Sequence, residues 1–148
     1  MVTIKFNNYL IDRFNYARNN EYELKEGNVA ITPDFSAKIY YTDSRAIVEI
    51  SVEINDKIDA SPFVLDVTVS GFFELVGSET EDDDQHDFKQ MLSSNALAIL
   101  YPYVRSLVSD LTLRTNEFPA LTLPVINFVE IVNEEDKIEF IDMSQNSF

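Results

Sequence analysis

Between residues 45 and 55 apolar and polar positions alternate one by one: Ala46, Val48, Ile50, Val52 and Ile54 on one side, Glu49, Ser51, Glu53 and Asn55 on the other. That period of two is the mark of a strand with one face buried. A second run starts at Phe63 and places Phe63, Leu65, Val67, Val69, Gly71, Phe73 and Leu75 on one face, with a bend or bulge expected at Gly71. A third, residues 35–42, puts Phe35, Ala37, Ile39 and Tyr41 together. A fourth, residues 9–17, alternates less regularly. Thr42-Asp43-Ser44-Arg45 suits a hairpin, and residues 55–57 with 60–62 suit another connection. The pattern predicts a four-stranded antiparallel sheet covered on one face.

The period changes after Gly77. Residues 78–87 are polar and acidic, and a short helix through Phe88 and Leu92 can follow them. A long helix is expected over residues 95–114, broken or kinked at Pro102. Ala96, Leu100, Tyr103, Leu107 and Leu111 form one apolar stripe, and Leu97, Tyr101, Val104 and Val108 form its neighbour. The combined arc is wider than one sheet contact requires, so the helix is buried on two sides. No second strong helix remains in the chain, which points to oligomerisation through Leu97, Tyr101, Val104 and Val108. Residues 117–127 carry two prolines among spaced apolar side chains and read as an extended apolar loop. Residues 128–141 fit a helix capped by Asn127 and Glu130, and fit a strand equally well. Residues 143–148 read as a frayed tail.

Composition narrows the function more than the fold. The 148 residues are the size of one domain, which buries roughly 70 % of its unfolded surface. There is no cysteine, so thiolate chemistry and disulfides are excluded. Residues 1–10 lack the apolar core of a signal peptide, and no apolar stretch has the length of a membrane span. The reading is a soluble cytoplasmic protein. The net charge of −15 disfavours nucleic acid and anionic lipid and favours basic partners. His86 is the sole histidine and sits in the acidic loop, so triad chemistry has no base. Three glycines cannot build a phosphate-cradling loop. The run from Asp82 lacks the glycine and the final carboxylate of a calcium loop. The sequence therefore suggests no enzyme, no cofactor and no metal.

Two blocks then carry a specific resemblance. Ala98-Ile99-Leu100-Tyr101-Pro102-Tyr103-Val104-Arg105 resembles N-I-L-F-P-Y-A-R of the SecB family of export chaperones. Phe118-Pro119-Ala120-Leu121-Thr122-Leu123-Pro124-Val125-Ile126-Asn127-Phe128 resembles that family's F-P-x-L-N-L-x-P-V-N-F, with one proline displaced. The spacing of the blocks also agrees. Pro62 to Phe73 resembles the family's strand entering G-G-I-F, and Asp34-Phe35 stands where the family has Asp-Trp. The likeness is good over 60–128, weaker over 9–59 and poor after Val132.

The resemblance implies a single SecB-like α+β domain over 1–148, a four-stranded antiparallel sheet with helices packed on one face. It implies a homotetramer, a dimer of dimers with the long helices sandwiched between. It implies an ATP-independent holdase for unfolded preproteins. The groove residues carried over are Phe35, Phe63, Tyr103, Phe118, Leu121, Leu123, Phe128 and Val132. Read from strand parity alone, Phe35 and Phe63 also fit plain core. An acidic sheet surface with Asp66 and Asp12 would meet the translocase motor SecA. By strand parity Asp12 sits with Leu10, Phe14 and Tyr16 and points inward unless a bulge intervenes. Two alternatives stand beside the export chaperone: a chaperone dedicated to one client such as an antitoxin, and an adaptor that kept the fold without client binding.

Overall fold

The computed structural model describes residues 3–22, 33–55, 61–77, 88–117, 119–131 and 137–143. His86, Phe118 and Val132 lie outside them, as do the acidic loop 78–87 and the tail 144–148. Four long strands form the expected sheet: β1 (Thr3–Arg18), β2 (Pro33–Tyr41), β3 (Arg45–Ile54) and β4 (Phe63–Val76). β2, β3 and β4 form an antiparallel meander, and β1 returns to pair antiparallel with β4. A fifth strand, β5 (Ile138–Asp142), adds to the far edge in parallel with β2, giving the order β1-β4-β3-β2-β5. The antiparallel four are thus the predicted sheet, and the fifth strand makes it mixed. The stretch 128–141 contains both structures its pattern allowed: a four-residue helix α2 (Phe128–Ile131) and then β5.

Alternation dictates the core. Val48, Ile50, Val52 and Ile54 of β3 and Leu65, Val67 and Val69 of β4 are buried under the helix layer. Each such side chain contributes ~1.5–3 kcal/mol relative to exposure. The irregular fourth run has a physical cause. β1 carries two bulges, between Phe6 and Asn8 and between Ile11 and Arg13. The second bulge shifts the parity, so Ile11 faces Val69 and Phe14 faces Val67 on the helix side, while Leu10 pairs with Ser70 on the open side.

Helical structure begins at Phe88, passes through a π-helical turn (Leu92–Ala96) and continues as α1 (Leu97–Arg114). α1 runs on through Pro102, which is exposed, and the departure from α geometry lies upstream of it. Asn116 ends the helix in a left-handed conformation, φ 59°, and its N–H donates to the Leu113 carbonyl at 3.2 Å. Gly71 explains how closely α1 approaches the sheet. A Cβ there would stand 2.9 Å from Leu100 Cδ1 and 3.0 Å from the Phe73 ring. Leu100 and Phe73 are both buried and have little room to yield. Gly71→Val is expected to cost about 1–3 kcal/mol by overpacking. Thermal melting checks this, and an unchanged midpoint would show that the contact is soft.

Candidate functional site

The crossover loop, residues 119–127, is extended as expected, and α1 holds it by its backbone. Thr112 Oγ1 accepts from the Leu121 N–H at 2.8 Å and itself donates to the Val108 carbonyl. Arg105 Nε donates to the Leu123 carbonyl at 3.1 Å, and the Tyr101 hydroxyl donates to the Pro124 carbonyl at 2.6 Å. Burial raises the Tyr101 pKa above its ordinary value, partly opposed by the Arg105 charge, so the phenol stays a donor. These bonds specify a path without specifying the loop's side chains. The side chains are then free to be apolar, with Leu123 buried and Leu121 half-buried.

Under the loop three aromatic rings meet. Phe35 of β2 lies 6.1 Å from Tyr101, edge to face, and 5.6 Å from Phe128. Tyr101 and Phe128 are 5.5 Å apart. Tyr101 and Phe128 are buried, whereas Phe35 is half-buried at the rim. Of the expected groove residues, the structure therefore brings Phe35, Leu121, Leu123 and Phe128 to one side of α1. Phe63 is buried on β4 and stacks on Tyr16 at 5.5 Å, a core position. Tyr103 lies on the other side of α1, 4.4 Å from Tyr9 and 5.5 Å from Phe6.

The helix stripe requires a correction. Leu97, Tyr101, Val104 and Val108 were expected to face a partner, yet all four are buried within the protomer. The arc is wide enough to be split in more than one way, and the sheet takes its centre. What remains outside is a flank: Ile99, Tyr103 and Leu113 are exposed, and Leu107 and Leu111 are half-buried. That flank overlooks β1, whose helix-side residues Tyr9, Ile11 and Phe14 are themselves exposed, Phe14 by 57 %. Between them two open hollows make up a channel along β1, partly apolar and partly polar. Its larger part, about 620 Å³, lies against Phe14, Tyr16 and Leu111 and is bordered by Arg18, Arg114 and Glu117. A smaller part, about 250 Å³, lies against Tyr9, Ile11, Tyr103 and Leu107. Sequence parity missed this surface because the bulge at Asp12 hides which β1 residues share a face.

The sheet's other face is polar. Asp34, Glu53 and Asp66 stand in register across β2, β3 and β4. Like charges opposite one another repel, and cations sit at both ends of the row. Arg13 holds Asp66 through two contacts, 2.7 and 3.0 Å, and Lys137 reaches Asp34 at 2.8 Å. Asp12 is exposed in its bulge and accepts from the Ser70 hydroxyl. The bulge thus turns Asp12 onto the same face as Asp66, where parity alone placed it inward. One row is apolar: Phe72, Ile47, Tyr40 and Ile141 align across four strands, each half-buried. Among the described residues no group of three or more His, Asp or Glu could hold a metal ion. No helix among them is long and apolar enough to cross a membrane.

A mixed sheet with one long helix and a pinned crossover loop on a single face defines the architectural class, an α+β fold of the SecB-like kind. The sequence profile described as "Preprotein translocase subunit SecB" matches residues 25–138, and the chain belongs to the SecB family. The uncharacterized protein MJ0357 of Methanocaldococcus jannaschii is 32 % identical over 144 residues, covering 90 % of this chain and 88 % of that one. The protein-export protein SecB of Ehrlichia canis is 28 % identical over 106 residues, covering 68 % of this chain and 59 % of its own length. Among solved structures, the SecB-like chaperone Rv1957 of Mycobacterium tuberculosis, in complex with a ChAD peptide from the HigA1 antitoxin, superposes with a TM-score of 0.64. It is 18 % identical to this chain, and the match covers 83 % of this chain and 90 % of that one, a likeness of fold.

Proposed function

We propose that this protein is an ATP-independent holdase that binds unfolded preproteins on the crossover-loop side of α1 and keeps them competent for Sec-dependent export. The observation that carries this reading is the aromatic cluster of Phe35, Tyr101 and Phe128 beneath a loop fixed by backbone bonds. Family membership supports the same reading. A holdase must accept many sequences. Rings and aliphatic side chains along an extended path offer apolar contact without a shaped pocket. Phe35, Leu121, Leu123 and Phe128 form the proposed groove, and Phe118 and Val132 are proposed members that lie outside the described residues. Phe63, which is buried, and Tyr103, on the far side of α1, stand apart from it.

The proposed assembly is a homotetramer, a dimer of dimers, and its partner surface shifts from the expected stripe to the β1 channel. β1 is a sixteen-residue edge strand with an uncovered apolar face. Such an edge invites aggregation unless something covers it, and a second copy is self-complementary there. The polar sheet face, with Asp66 and Asp12, is the proposed docking surface for SecA, and its acidic row suits a basic partner.

A second reading is a chaperone reserved for one client, such as an antitoxin. The SecB-like chaperone of similar fold was solved with an antitoxin peptide bound, which supports this second reading. Binding measured with several unrelated reduced preproteins and their folded forms separates the two. The export reading expects comparable affinity for all the unfolded forms and none for the folded ones. Binding confined to one polypeptide would replace it with the dedicated chaperone.

A further inference from the structure

We infer that β5 is a built-in stand-in for the client, occupying a strand-accepting edge of β2 from which an unfolded segment must displace it. The inference rests on the holdase reading and specifies how a client engages.

β5 has the chemistry of an unfolded client. It is extended and alternating, with Ile138 and Phe140 turned to the core side and Glu139 and Ile141 to the open side. Its attachment uses main-chain groups that any polypeptide owns. The Ala37 N–H donates to the Lys137 carbonyl at 2.8 Å, and the Met143 N–H donates to the Tyr41 carbonyl at 2.7 Å. Strand addition of this kind takes affinity from the backbone and preference from alternate side chains. The preference here is legible. Phe140 meets the edge of Tyr41 at 6.3 Å and lies under the Lys89 ammonium at 4.9 Å. The edge therefore suits an extended segment reading aliphatic, any residue, aromatic.

β5 is also the most weakly held strand of the sheet. It pairs along five residues, in parallel, and none of its side chains is fully buried. β4 pairs on both sides and buries half of its residues. Edges with few buried contacts open first. The position completes the case. Two residues before Ala37, the same strand carries Phe35, in ring contact with Phe128. A client paired along β2 where β5 now lies runs directly into the aromatic cluster.

The absence of cysteine makes the test clean. Lys38 and Glu139 are register partners on exposed positions. Adjacent strands lie within the Cα separation a disulfide spans. Lys38→Cys with Glu139→Cys locks β5 when oxidised and frees it when reduced, with closure followed by mass. Affinity for a labelled, reduced, unfolded preprotein is expected to fall at least about tenfold on oxidation and to recover with reductant, because locking removes the competent state. Phe140→Asp, which releases β5 without a crosslink, is expected to raise the affinity above wild type. Equal binding by the oxidised and reduced forms, or no gain with Phe140→Asp, overturns the inference while leaving the holdase intact. No binding by wild type and by Phe140→Asp alike removes both.

Discussion

Phe35→Ala is expected to weaken binding of an unfolded preprotein about thirtyfold, the equivalent of ~2 kcal/mol, while changing thermal stability little. The two effects separate because of where the ring sits. Phe35 lies at the rim, half-buried, with one side against Tyr101 and Phe128 and the other open to a ligand. Buried aromatic anchors of this kind dominate binding energies once a ligand covers them. Phe128→Ala provides the contrast. Phe128 is only 5 % exposed, so its truncation leaves a cavity beneath the loop and costs stability, ~3 kcal/mol or more. Fluorescence anisotropy for binding and calorimetry for stability distinguish them. If Phe35→Ala binds like wild type, the client does not use this side of α1.

The second large effect concerns assembly. Ile11→Asp combined with Phe14→Asp is expected to lower the particle mass seen by light scattering to that of the free protomer, with the fold retained. Both side chains are exposed in the protomer, 44 % and 57 %, so charging them breaks no internal packing. In an assembled interface, two buried carboxylates per protomer would each carry a desolvation penalty of several kcal/mol. An unchanged mass would remove the β1 channel as the partner surface. An unchanged mass with lost client binding would instead make the channel the client's groove.

The sheet was legible because its strands are half-buried and therefore alternate. Ala46 through Ile54 could be read directly, and Gly71 was rightly singled out, although it serves close helix approach rather than a bulge. β1 resisted reading because its bulges at Asn7 and Asp12 break the period that parity relies on. The exposed Tyr9, Ile11 and Phe14 were therefore not recognised as one surface. α1 was read as two-sided from its wide arc, but periodicity fixes the width of an arc and not which stripe the sheet selects. Leu97, Tyr101, Val104 and Val108 were for that reason assigned outward and lie inward. The crossover loop was legible because apolar residues between prolines must lie against something. What the sequence did not show is that Thr112, Arg105 and Tyr101, one helix face, reach the loop's backbone. β5 was ambiguous because five residues are too few for either period to prevail.

The most direct test of the central claim is dilution of a denatured, reduced preprotein into buffer containing this protein and no nucleotide, with aggregation followed by light scattering. The account predicts suppression near stoichiometric amounts, unaffected by ATP and lost with Phe35→Ala. Aggregation at the same rate as without the protein, for several unrelated preproteins, would contradict it.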